Sequence, residues 1–267
     1  MRSIKTIAIS LALSATVAAP AIAAQCGSNA NGFNAWKAAF AGEAQKAGVG
    51  QRGLNALANA QYANATIKAD RNQKSFKFTL DKFMQVRGVN TIVSQGRKRK
   101  ARNAFFYSEL ERQYGVPTGV LLAIHGMETG FGGFMGNSRV VSAITTLAYD
   151  CRRADFFKPH AIGALLLVDQ GTIDGNTKGA AHGELGHTQF LPGNAKRYGV
   201  DGNGDGRVDL YNLTDAMAST ANFLRKKGWK PGQGYQEGQP NFAVIKQWNA
   251  ATVYQQAIAI MGAKIDG

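Results

Sequence analysis

No stretch of this chain is apolar for the ~20 residues that a membrane-spanning helix needs. It has no internal repeat and no long linker, so one compact domain is expected rather than a string of them. Charged residues make up 18% against 45% hydrophobic, a balance that excludes disorder. Acidic residues are scarce: 17, against 31 lysines and arginines. Histidines number four. Two of them, His182 and His187, flank Glu184 as H-x-E-x-x-H, which is not the H-E-x-x-H pattern of zinc enzymes. No zinc site is therefore expected, and His125, one helical turn before Glu128, reads as a satisfied core histidine.

The start of the chain is of a different kind. Arg2 and Lys5 precede apolar or small residues over 6–19, and Ala21-Ile22-Ala23 fits an A-x-A cleavage site. This pattern predicts a secretory signal peptide over 1–24 and a single domain over 25–267. No stable membrane insertion is expected, and export places the protein in the periplasm. Only Cys26 and Cys151 are cysteines, and in an oxidising compartment such a pair reads as a disulfide; two buried thiols are the other reading. The net charge of +14 calls for an anionic partner. Export argues against nucleic acid and favours the bacterial wall, whose lactyl-peptide groups carry carboxylates. The densest basic run, Arg97-Lys98-Arg99-Lys100 with Arg102, reads as a solvated helix start.

Periodicity predicts a mainly α (α+β) fold. Helices are expected over 33–48, with Phe33, Trp36, Ala39 and Phe40 on one face, then over 51–60 and 75–86. A long one is expected from about Asn90 to Tyr114, with Phe105, Phe106, Leu110 and Tyr114 facing inward and Gly115 stopping it. Pro117 opens the apolar segment 116–127. Ser138 is a candidate cap for a helix through Ala148. Further helices are expected over 154–170, from Leu191–Pro192, over 215–227, and from Asn249 through Met261; residues 231–240 read as a surface loop.

Glu128 is the sharpest candidate for chemistry. It ends the apolar helix and faces the glycine-rich run G-F-G-G-F-M-G. Burial near Ile124, Phe131 and Phe134, together with the negative end of the helix dipole, is expected to disfavour its charged form. A raised carboxyl suits a general acid. A second pattern lies at Asp201, Asn203, Asp205 and Gly206, the first half of a calcium-binding EF-hand loop. Arg207 would ligate through its carbonyl, but position twelve is Asn212 rather than a bidentate Glu. An Asx- and glycine-rich turn without metal is the other reading.

The segment G-V-P-T-G-V-L-L-A-I-H-G-M-E-T-G-F-G resembles the E-T-x-[WFY]-G signature of lytic murein transglycosylases of the B-type membrane-bound class. The likeness continues, in order, through residues 182–192, 201–210, 221–229 and 248–254. It implies a lysozyme-like catalytic domain with a small EF-hand-like loop. The activity implied is cleavage of the β-1,4 bond between N-acetylmuramic acid and N-acetylglucosamine without water, leaving a 1,6-anhydro end. Glu128 would be the single acid/base, with no catalytic cofactor. Gln189, Tyr254, Trp248, Phe223 and His187 would form the substrate side; Trp248 and Phe223 stand where relatives place tyrosines. The family's later aspartate aligns with Asp215, completing a structural calcium site. The partner would be peptidoglycan glycan strands, met as a monomer. Two other readings stay open: a lysozyme-like hydrolase, with Glu184 as its second carboxylate, and a non-catalytic, calcium-dependent wall-binding protein.

Overall fold

The computed structural model describes residues 24–72 and 77–267. The expected leader lies outside them save for Ala24, and so do Ser75 and Phe76 of the helix expected over 75–86. After a 3-10 turn at Ala30–Gly32 come α1 (Phe33–Lys46), α2 (Gln51–Asn59), α3 (Asn64–Arg71), α4 (Leu80–Val86), α5 (Val89–Arg102), α6 (Ala104–Tyr114) and α7 (Thr118–Thr129). A short strand, β1 (Ser138–Arg139), leads into α8 (Val140–Tyr149) and α9 (Ala154–Asp169). It pairs antiparallel with β2 (Lys178–Gly179), Ser138 opposite Gly179. The helices α10 (Pro192–Tyr198), α11 (Leu213–Lys226), α12 (Phe242–Trp248) and α13 (Thr252–Asp266) complete the chain.

The mainly helical expectation holds, with local differences. The long helix expected to Tyr114 divides at Asn103, whose backbone (φ −120°, ψ 41°) leaves the helical region. The break changes the inward face of α6. Tyr107 is buried beside Leu110 and Tyr114, whereas Phe105, expected inside, is 81% exposed. Helix α4, which ends at the turn through Gly88, begins at Leu80, capped by the Thr79 side chain, which accepts from the Lys82 amide. Ser138 lies in the ribbon rather than capping α8. Helices α3 and α12 have no counterpart among the elements expected from periodicity. The basic run sits in the last turns of α5, where cations suit the helix dipole. Part of it is structural: Arg97 donates to the Lys264 carbonyl, and Lys100 pairs with Asp266.

Buried side chains from Ala24 to Ile265 form one cluster. Its centre is α7. Every residue of that helix except Glu128 is buried, as its apolar sequence requires. α7 packs against α5 and α13. The approach to α13 depends on Gly119: a Cβ there would lie 2.1 Å from the Gly262 carbonyl oxygen. This close crossing brings Tyr254 of α13 up to the C-terminal end of α7.

Cys26 and Cys151 are bridged. The Gly27 amide donates to the Tyr149 carbonyl, and the Cys151 amide donates to the Gly27 carbonyl, so the N-terminal segment lies against the end of α8. The bridge spans 125 residues of sequence. Closing so long a loop restricts the unfolded chain, and removing such a bridge typically costs about 2–5 kcal/mol. The Cys26→Ala/Cys151→Ala double variant is expected to melt well below the wild type, read by calorimetry. Equal melting temperatures would show that the bridge contributes nothing to stability.

Candidate active site

Glu128 is the last but one residue of α7, and Gly130, in the left-handed region (φ 58°), ends the helix just beyond it. Its carboxyl lines a cavity of about 550 Å³ together with Arg87, Arg153, Phe156, Glu184, Gln189 and Trp248. The surroundings differ in part from those expected: Phe134 is 73% exposed and contributes no burial. Instead, α12 and α13 close over the carboxyl. The Tyr254 hydroxyl donates to Glu128 Oε1 at 2.6 Å, and the Trp248 indole Nε1–H donates to the same oxygen at 3.0 Å. Among the described residues nothing bonds to Oε2. Burial pushes the Glu128 carboxyl up to about 6. The two donors and the Arg87 charge pull it down, and the Glu184 charge adds to the rise. Burial and the neighbouring carboxyl hold the Tyr254 hydroxyl well above its usual range, so it remains a donor.

The donor pattern fixes where the proton sits. An oxygen that accepts two hydrogen bonds acts as the carbonyl-like end of a carboxylic acid. The acidic proton of neutral Glu128 is thereby assigned to Oε2.

The loop 182–190 forms another wall. It turns at Gly186 (φ 67°), where a Cβ would lie 1.9 Å from the Leu210 carbonyl oxygen. Gln189 has φ 57°; among the described residues, it and Phe131 (φ 63°) are the non-glycine residues held in the left-handed region. The Gln189 side-chain amide donates to the Gly186 carbonyl at 2.7 Å, which braces the loop while the residue lines the cavity. His187 turns the other way. Its Nδ1 lies 3.1 Å from Nε2 of buried His125, and its carbonyl accepts from Thr129 Oγ1 at 2.6 Å. Burial drives His125 down to about 3 and lowers His187 as well, so both imidazoles stay neutral near neutral pH and can share one hydrogen bond.

An ionic cluster borders the cavity. Buried Asp70 pairs with Arg152 and Arg153, and Asp150 pairs with Arg71 at 2.7 Å. His182 stands between Asp70 (3.6 Å) and Glu184 (3.2 Å), and its amide donates to Glu184 Oε2 at 3.0 Å. Glu184 is thus tied to the rim through both oxygens. The aromatic floor is Phe223, 2% exposed, set edge-on against Phe190, Tyr198 and Trp248.

Residues 32–239 match the Transglycosylase SLT domain. The chain belongs to that family. Membrane-bound lytic murein transglycosylase B of Escherichia coli K12 is 36% identical over 137 residues, which cover 48% of this chain and 38% of that protein. The match therefore spans little more than a third of that relative's length. The solved structure of SltB3 from Pseudomonas aeruginosa in complex with NAG-anhNAM-pentapeptide superposes with a TM-score of 0.79 at 27% identity, covering 88% of this chain and 80% of that one. Escherichia coli Slt35, in a structure with calcium, gives 0.71 at 24% identity over 91% and 96% of the two chains, a likeness of fold alone. The fold is the lysozyme-like one of this transglycosylase family.

The expected site residues separate into three places. Glu128, Gln189, Trp248 and Phe223 line one cavity. Tyr254 is buried behind Glu128 and reaches it directly. His187, expected on the substrate side, does not line that cavity and instead fastens the loop to the catalytic helix. Trp248 spends its N–H on Glu128 rather than on a ligand. Sequence reasoning missed Arg87, Arg153, Phe156 and Asn194. They come from the end of α4, the start of α9 and α10, and no local pattern marks them.

The loop 201–215 is built on side-chain to backbone bonds. Asp201 accepts from the amides of Gly204, Asp205 and Gly206, and Asp205 accepts from that of Arg207. Asp215, expected as the last calcium ligand, is fully buried. Its Oδ1 accepts from the Gly202 and Asn203 amides (3.0 and 3.2 Å) and its Oδ2 from the Asp209 amide (2.8 Å). Among the described residues no three His, Cys, Asp or Glu side chains group so as to hold a metal ion. As arranged, the set does not fit a calcium site that includes Asp215, which works here as a clamp on the loop.

Proposed function

We propose that this chain is a peptidoglycan lytic transglycosylase. It would cleave the β-1,4 bond between N-acetylmuramic acid and N-acetylglucosamine without water, leaving a 1,6-anhydro end. The observation that carries this reading is the half-buried Glu128 carboxyl in the cavity lining, with two donors on Oε1 and, among the described residues, no partner on Oε2. Protonated Oε2 gives its proton to the glycosidic oxygen as the bond breaks. The oxocarbenium-like sugar is relieved by its own N-acetyl group. Glu128, now a carboxylate, takes the proton of the same sugar's C6 hydroxyl, which attacks C1 and closes the anhydro ring. One group serves as acid and then base, so no second carboxylate is required. Tyr254 and Trp248 hold the carboxyl still through both steps, and Gln189 stiffens the opposite wall.

A hydrolase has one observation in its favour: Glu184 lines the same cavity. A water-using glycosidase needs a second carboxylate free to act on water or on the sugar. Both oxygens of Glu184 are engaged by His182, which favours the transglycosylase. Mass spectrometry of fragments released from purified sacculi decides between them. Anhydro ends are expected, and products heavier by one water would establish hydrolysis instead.

By the same reading the protein would be exported to the periplasm and act there on glycan strands as a monomer. Calcium, where the loop takes it, would be held weakly by Asp201, Asn203, Asp205 and the Arg207 carbonyl, with Asp215 supporting the loop from inside.

A further inference from the structure

Two arginines line the Glu128 cavity, Arg87 and Arg153. Arg153 is ion-paired with Asp70, which it shares with Arg152. Arg87 has no ion pair and no hydrogen bond from its side chain among the described residues. It is held in place nonetheless. It caps α4, the chain turns at once through left-handed Gly88 (φ 64°), and its guanidinium lies over the ring of fully buried Phe83, 5.4 Å from the centroid. Stacking engages the face of a guanidinium and leaves its fork of N–H donors free at the edge.

Its position has a cost for the acid. The Arg87 charge acts on both Glu128 and Tyr254 and favours the ionised form of the carboxyl. A cation that opposes protonation of the catalytic acid is out of place in an empty cleft. It is in place when an anion of the substrate sits on it. A planar fork of donors matches a carboxylate in two-point geometry. The glycan supplies one beside each scissile bond, on the lactyl ether of N-acetylmuramic acid or on the stem peptide attached to it.

We propose that Arg87 is a substrate-binding residue that takes a carboxylate borne by the muramic acid side of the cut. It reads the charged substituent, while the other cleft residues read the sugar. Carboxylate binding also masks the Arg87 charge, so the carboxyl of Glu128 holds its proton better when a correctly substituted strand is bound.

This rests on the transglycosylase reading, and binding rather than turnover separates the two. The measurement is calorimetric affinity of Glu128→Gln protein, with and without Arg87→Gln, for three probes. These are a neutral N-acetylglucosamine oligomer, a peptide-free fragment with a lactyl carboxylate, and a peptide-bearing fragment. Arg87→Gln is expected to weaken a carboxylate-bearing probe roughly tenfold, the size of one charged contact. It should leave the neutral oligomer unchanged, with Arg87→Lys intermediate. Loss confined to the peptide-bearing probe identifies the stem peptide, loss confined to the peptide-free probe identifies the lactyl carboxylate (amide-bonded in the other probe), and loss on both shows that Arg87 takes either carboxylate. Equal loss on all three, or no loss on any, overturns the assignment while leaving the transglycosylase reading intact. Failure of the parent protein to bind any probe overturns both.

Discussion

Glu128→Gln is expected to lower glycan cleavage by ~10²–10⁴-fold while leaving the fold intact. The amide has the shape of the acid and can present its oxygen to Tyr254 and Trp248 as Oε1 does now. Its NH₂ then occupies the place of the acidic proton but cannot transfer one. The same group sets the pH dependence. The reaction needs the protonated carboxyl, which burial keeps available up to about pH 6. Above that value the proton is lost, so kcat/KM should fall on the alkaline side with a midpoint near 6. The residual activity of Glu128→Gln should lack that limb. A glutamine variant with roughly a tenth or more of wild-type turnover would end the assignment of Glu128 as acid and base.

Asp215→Ala should be the most destabilising single change in the loop 201–215. The wild-type carboxylate is fully buried and accepts three backbone amides from two segments of that loop. Removing it deletes three part-buried hydrogen bonds to a charged acceptor, each worth about 1.5–3 kcal/mol. A loss of roughly 3–5 kcal/mol is expected, since such terms are not additive. For a chain of this size that lowers the melting temperature on the order of 10 °C. The loss should be equal in chelator and in millimolar calcium, because the clamp works through amides and not through a metal. Asp205→Ala should differ, losing only whatever small calcium-dependent rise in melting temperature the wild type shows. A wild-type stability gain with calcium that vanishes in Asp215→Ala would restore Asp215 to the metal.

The catalytic acid is legible in the sequence because its signal is local. An apolar helix, a carboxyl at its end and a glycine-rich exit lie in one short segment, and the family resemblance covers the same residues. Tyr254 and Trp248 are legible only through that resemblance, since they reach Glu128 from 126 and 120 residues away. The placing of each side chain on one wall or another is not legible. His187 and Gln189 are neighbours but one in the chain, yet the first faces the His125 imidazole and the second faces the cavity. The left-handed backbone at Gln189 separates them, and nothing in the composition of the loop announces it. The same holds for Asp215: spacing puts a carboxylate near the loop, and only burial shows that the loop's own amides consume it. The break at Asn103 is a smaller case, in which a polar residue inside a helical pattern turns Phe105 out and Tyr107 in.

The backbone conformations of Phe131 and Gln189 bear on how this sequence can drift. A non-glycine residue in that region costs about 1–3 kcal/mol, and glycine would remove the cost at either place. Both positions flank the reactive carboxyl, one just past the end of its helix and one across the cavity. At Phe131 that relief competes with the packing of the ring on His125 and Arg99, and at Gln189 with the bond that braces the loop, so the backbone cost is kept where the side chain holds the walls of the cleft. A descendant released from cutting glycan would be free to relax at these two sites first, before any change at Glu128 itself.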